Sequence, residues 1–183
     1  MTVHDQQSIE RTAVDVVRAV PDPEMPYLTL GDLGVVGAVT ADSPDRVHVQ
    51  LTPTYLGCPA TEVIARDVEA ALREAGWPAV TVEYRFDPPW TPDRITEEGR
   101  RKLAAEGVAP PSRTRPDGPV FVTLSPSALS PSTLSRSTPP AVDCPRCGAR
   151  ETRLLSPFGS TPCQELRRCS TCGEPFPAIK AAR

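Results

Sequence analysis

The chain counts 183 residues with 23 prolines, 39% apolar and 5% aromatic side chains, and a formal net charge of −3. Proline at about one residue in eight, against a usual one in twenty, argues against one uninterrupted core and points to one or two domains. No apolar run approaches the ~20 residues of a membrane span, so no membrane role is expected. The opening MTVHDQQSIE lacks the basic and apolar regions of a secretory signal, which makes the cytoplasm the expected location.

Ile9, Ala13, Val16, Val17 and Val20 recur at helical spacing, predicting a first helix that stops before the turn-rich Pro21-Asp22-Pro23-Glu24. Two β-branched runs follow, Leu33–Thr40 and Arg46–Leu51, joined by Ala41-Asp42-Ser43-Pro44-Asp45 as a hairpin. After the loop Thr52–Cys58, a second helix is expected from about Pro59 to Ala75. Val63, Ile64, Val68, Ala71 and Leu72 form its apolar stripe, and Gly76 ends it. Val80–Phe86 alternates as a third strand. Thr91 then offers an N-cap, and Pro92 a first helical residue, for a third helix to about Ala105. The expected class is α+β: a small mixed sheet with helices packed on one face, in the order αββαβα, over residues 1–110.

Residues 111–141 read as a Pro/Ser-rich linker. Eight of the 23 prolines fall within 110–140, and so few bulky apolar groups cannot offset the entropy of ordering. Val120–Leu124 (VFVTL) is the stretch of the linker with strand character. Charge changes across the same boundary: residues 1–109 carry 10 basic and 18 acidic side chains, residues 110–183 carry 10 basic and 5 acidic. An acidic body with a basic tail piece reads as two units, and the acidic one would repel a phosphate backbone. Residues 142–183 hold only Phe158 and Phe176 to stack on bases, so nucleic acid is not an expected partner. A tether of this length leaves the relative placement of the two units open.

Five of the six cysteines lie between Cys144 and Cys172, a clustering that favours metal over disulfides. Cys144-Pro-Arg-Cys147-Gly and Cys169-Ser-Thr-Cys172-Gly are two knuckles with 21 residues between them. Two thiolates three residues apart face one ion if the backbone between them turns tightly. The glycine that follows permits the positive φ such a turn needs. Residues 142–183 have almost no core of their own, so metal binding would supply their folding free energy. The expectation is a structural zinc ribbon with four cysteine ligands; a rubredoxin-like iron site and redox-active dithiols share the spacing. Full sulfur ligation leaves no open position for chemistry on a substrate. Cys163 is spare: a small buried thiol, an accessory thiol that meets a cluster or partner, or a replacement knuckle ligand.

Cys58 lies between a strand and a helix N-terminus, in Gly57-Cys58-Pro59, where the positive helix end should favour thiolate. An isolated cysteine also serves simply as structure. The only histidines are His4 and His48, so a Cys–His hydrolase has little to build on. Asp22 and Glu24 are candidate ligands, although turn chemistry alone explains acidic residues and prolines there.

Val20-Pro-Asp22-Pro-Glu24, followed by Asp32-Leu-Gly34-Val-Val, resembles the opening of the SufT-like metal–sulfur cluster assembly domain. Leu51-Thr52-Pro53-Thr54, with Gly57-Cys58-Pro59, resembles that family's cysteine loop. Joined through a Pro/Ser linker to a four-cysteine ribbon with Phe158-Gly-Ser-Thr, Cys163 and Cys172-Gly-Glu-Pro-Phe176, the arrangement is similar to the D-subunit family of phenylacetyl-CoA 1,2-epoxidase. The likeness covers nearly all of the chain outside the linker. It implies a non-catalytic factor that assists maturation of iron–sulfur or di-iron components of that multicomponent monooxygenase of phenylacetate degradation. The implied partners are its reductase, with a [2Fe-2S] centre, and its oxygenase, with a di-iron site. Relatives often dimerise, so a homodimer is also implied. Carried over, Cys58 is the candidate thiolate that handles iron or a cluster transiently, with Asp22 and Glu24 as neighbours. An interaction subunit that handles no metal, and a general iron–sulfur cluster assembly factor, stand as alternatives.

Overall fold

A computed structural model describes residues 3–43, 45–55, 57–111 and 142–180. The strand expected at Val120–Leu124 lies outside the described residues.

The first unit is the expected α+β layer. Helix α1 (Val3–Ala19) is followed by a short α2 (Leu30–Leu33), strands β1 (Val36–Ser43) and β2 (Arg46–Leu51), helix α3 (Thr61–Glu74), strand β3 (Ala79–Tyr84) and helix α4 (Glu97–Ala105). The sheet order is β1-β2-β3, with β1 antiparallel and β3 parallel to the central β2. A parallel neighbour requires a crossover, and α3 provides it. Along β2 the side chains alternate: Val47, Val49 and Leu51 are buried while the residues between them are less so. On the covered face α1 packs against β1 and α3 against β3, and the two helices touch each other. Ala13, Val17, Val68 and Leu72 seal that layer.

β1 is displaced from the expected Leu33–Thr40, because Leu33 closes α2 and Ala41–Ser43 continue the strand. Two further features depart from the sequence reading. The third helix does not start at Thr91. Pro92–Arg94 form a single 3-10 turn, Ile95 is extended and buried, and α4 begins after Thr96, whose hydroxyl accepts from Gly99 N at 3.0 Å. Thr96 makes the capping bond that Thr91 lacks. The second is α2, which has too few residues to show a period. A capping box defines it: Asp32 N donates to Thr29 Oγ1 (3.1 Å), and Thr29 N to Asp32 Oδ2 (3.0 Å). Gly34 closes the turn at φ +64°, and a Cβ there would collide with the Arg94 carbonyl oxygen. The Asp32-Leu-Gly34 motif is therefore a structural clasp. Lys102 on α4 donates to the same Asp32 carboxylate at 2.7 Å, and buried Trp90 donates to the Leu33 carbonyl at 2.9 Å.

The second unit is a three-stranded antiparallel ribbon, β4 (Thr152–Ser156), β5 (Gln164–Cys169) and β6 (Pro175–Ile179), in that order. It rests on the first unit. Residues just beyond α4 run parallel to β6: Ala109 N donates to Pro177 O at 2.8 Å and Ile179 N to Ala109 O at 3.1 Å. The edge of β6 that faces away from β5 is covered in this way. Ala109 packs with Val142, Cys144, Cys169, Phe176 and Ala178 in the ribbon core. Cys163 and Ile179 go the other way and join the core of the α+β unit. Among the described residues, no helix is long and apolar enough to cross a membrane.

Candidate functional site

The four knuckle cysteines converge. Their sulfurs lie within 4.8 Å of one another, with Cys144–Cys172 at 3.8 Å and Cys147–Cys169 at 3.6 Å. A tetrahedron of sulfurs around zinc at ~2.3 Å has edges of about 3.8 Å, so the donor set fits such an ion. Each knuckle is closed by the glycine after it: Gly148 at φ +72° donates to Cys144 O, and Gly173 at φ +79° to Cys169 O. Cys172 N also points at the Cys169 sulfur, at 3.4 Å. Cys144 and Cys169 are buried, Cys147 and Cys172 exposed, so the centre sits at the rim of the ribbon.

A second site lies where the two units meet. A half-open cavity of about 30 Å³ is lined by Asp22, Glu24, Cys58, Cys163 and Tyr84 over an apolar floor that includes Leu51 and Ile64. That is room for about two water-sized groups. Among the described residues, neither lysine, arginine nor histidine lines it.

Each wall has a local cause. Pro21 bridges to Thr29, and Asp22 N donates to Leu28 O at 2.9 Å, folding residues 21–29 back on themselves. Inside that fold Asp22 Oδ1 accepts from Glu24 N (2.9 Å) and Met25 N (2.8 Å), the Asx-type bonding that makes such a turn. Cys58 stands three residues before α3, in a turn that Gly57 enters at φ +84°. Its carbonyl accepts from Thr61 Oγ1 at 3.0 Å, and Tyr84 at the end of β3 donates to Thr61 O at 2.6 Å. Cys163 comes from the ribbon's arm: its sulfur lies 3.0 Å from Thr161 Oγ1 and 3.9 Å from Glu24 Oε2.

Every acid in this cavity is pushed toward its neutral form. Burial raises Asp22 despite two backbone N–H bonds, and burial with the charge of Asp22 raises Glu24. Burial raises Cys163 to about 11, with Glu24, Cys58 and Asp22 adding to it. Tyr84 is raised to about 12, by burial and then by Cys58. Cys58 is raised too: burial is the largest cause, and the charges of Glu24 and Asp22 add to it. The N–H groups of Ala60 and Thr61 offset only part. The expectation of a thiolate favoured by the helix end is thus corrected, because desolvation and two facing carboxylates outweigh the helix N-terminus. A cation in the cavity would reverse the balance for all of these groups together.

Asp22, Glu24 and Cys58, singled out in the sequence, share this cavity, and so does Cys163 from 139 residues beyond Glu24. Sequence reasoning missed Tyr84 and Thr61. Tyr84 ends an alternating strand, where its hydroxyl carries no signal of its own. His48, on β2, stands between Thr40 of β1 and Thr81 of β3 and does not line the cavity.

Residues 10–84 match the family model described as iron-sulfur cluster assembly protein, and residues 128–180 the PaaD zinc beta ribbon domain. A crystal structure of a domain of unknown function, DUF59, from Bacillus anthracis matches with a TM-score of 0.52 at 28% identity, over 56% of this chain and 97% of that one. An "Fe-S protein maturation auxiliary factor" of Porphyromonas gingivalis is 33% identical over 51% of this chain and 90% of its own length. Fold and site thus define a two-part protein: a DUF59-type α+β domain carrying a four-cysteine ribbon. Over 161 residues the chain is 38% identical to the D subunit of the "Putative 1,2-phenylacetyl-CoA epoxidase" of Escherichia coli (strain K12), spanning 88% of this chain and 86% of that protein. The chain belongs to this epoxidase D-subunit family.

Proposed function

We propose that the chain is a non-catalytic maturation factor that holds iron, as an ion or a cluster, transiently at Cys58 beside Asp22 and Glu24. The observation that carries this reading is the convergence of these three groups, from two separate loops, on one cavity that no basic side chain lines among the described residues. Burial raises these groups, and a thiophilic cation would favour their charged forms and be held by them. A half-open pocket of about 30 Å³ suits cargo that must leave again. The names of the relatives, one a maturation factor and one an epoxidase subunit, support delivery to the epoxidase. Its reductase and oxygenase, both iron-containing, are the proposed clients, and the cytoplasm is the proposed location.

In the ribbon, Cys144, Cys147, Cys169 and Cys172 would hold zinc. Four sulfurs complete a tetrahedral shell, so the ion would supply folding free energy rather than chemistry. Exposed Phe158 (64%), Leu155 (43%) and Leu154 (38%) on the ribbon favour a second reading, that of a subunit that docks in the complex and handles no metal.

Co-expression with the epoxidase reductase and oxygenase separates the two. Cys58→Ser should lower client iron content severalfold while the variant itself keeps its ribbon metal. Clients with normal iron content would reject metal handling and leave the docking reading.

A further inference from the structure

Cys163 is a buried thiol that the zinc centre does not use. It belongs to the ribbon by sequence, yet its side chain packs in the core of the α+β unit. The docked ribbon holds it there: Lys180 N donates to Cys163 O at 2.9 Å, and Lys180 Nζ to the neighbouring Pro162 O at 2.7 Å. Gln164, the next residue, donates to the sulfur of Met25 in the carboxylate loop, at 3.5 Å. The Cys163 sulfur itself faces Glu24 at 3.9 Å and lines the same cavity as Cys58.

We propose that Cys58 and Cys163 form a two-thiolate site for ferrous iron, bare or sulfide-bridged, so that the ribbon supplies one sulfur ligand of the cargo. This rests on the assembly reading above and extends it. Two sulfurs with two carboxylates make a mixed soft and hard donor set, suited to iron rather than to magnesium or calcium. Binding of one Fe²⁺ would displace one proton from each thiol to solvent, with no change of oxidation state. Among the described residues, only the four ribbon sulfurs bring three or more donors within 4.8 Å of one another. No three of the cavity donors come that close together. Cys163 immediately precedes β5, and the zinc-centre residue Cys169 ends it. The strand that the zinc centre anchors is therefore the strand that presents the second thiol.

The test is anaerobic titration of the zinc-loaded full chain with Fe(II) alone, and with Fe(II) plus sulfide. Sulfur-to-iron charge-transfer absorption, iron per chain and zinc per chain are read together. Cys58→Ser and Cys163→Ser should each weaken iron uptake on the order of 10–100-fold or more, with zinc unchanged. If Cys163→Ser binds iron as the parent does while Cys58→Ser does not, the two-thiolate site is overturned and the assembly reading survives. If both variants bind as the parent does, both fall. Should Cys163→Ser lose zinc, X-ray absorption at the iron edge of the parent loaded with Fe(II) alone decides. Two sulfur ligands support the site, and one or none overturns it.

Discussion

Four sulfurs of the ribbon gather within 4.8 Å of one another from two turns, each closed by its own glycine. Cys58 and Cys163 reach a shared cavity from segments more than 100 residues apart, and Cys163 arrives only because the ribbon docks. The first set is held by local backbone geometry. The second depends on everything between its members. What separates the two donor sets is how they are held, since cysteine serves in both.

The largest effect should come from breaking the local set. Cys169→Ser removes one of four sulfurs, and structural zinc in small domains is worth about 10–16 kcal/mol of folding free energy. The variant should drop from about one zinc per chain to almost none by elemental analysis. The ribbon amides should lose hydrogen-exchange protection, and iron uptake at the cavity should fall with them.

A smaller effect should break the cavity alone. Gly34→Ala forces a left-handed residue against the Arg94 carbonyl and disturbs the α2 clasp, whose Leu30 and Leu33 line the cavity. About 2–5 kcal/mol of stability should be lost by urea denaturation, with zinc content unchanged. Loss of zinc together with stability would show that the ribbon centre depends in turn on the α+β unit.

The smallest effect is a pH dependence. For Asp32 burial pushes upward, but the bonds from Lys102 and Thr29 outweigh it and hold the carboxyl below its ordinary value. A depressed carboxylate stabilises the fold above its unfolded value of ~3.9 and loses that contribution as pH falls through the folded value. The gap between parent and Asp32→Asn should be about 1–2 kcal/mol at pH 6. It should close as pH drops below the ordinary carboxylate range, followed by tryptophan fluorescence from buried Trp90 and Trp77.

Much of the α+β unit was legible in periodicity. Arg46–Leu51 forms a strand over the residues its alternation predicted, and α3 carries the expected stripe, with Val68 and Leu72 buried. The misses have physical reasons. A four-residue helix shows no period, and two threonines next to helical starts look alike until one of them makes a bond. The helix end beside Cys58 was visible, and Asp22 and Glu24 beside it were implied only by the family resemblance; the burial that does most to reverse the helix effect was not visible.

By itself the sequence determined what is local: the strands and helices, the paired knuckles with their glycines, and the acidic turn at Asp22 and Glu24. Each follows from residues within a few positions of one another, where backbone geometry and capping bonds decide. Only the tertiary structure decided that Ala109 joins the ribbon sheet, that Cys163 enters the core of the other unit, and that Cys58 faces Asp22 and Glu24. Those contacts join segments separated by up to 139 residues. No short-range pattern encodes them, because burial and charge at such a site are set by whichever surfaces pack together.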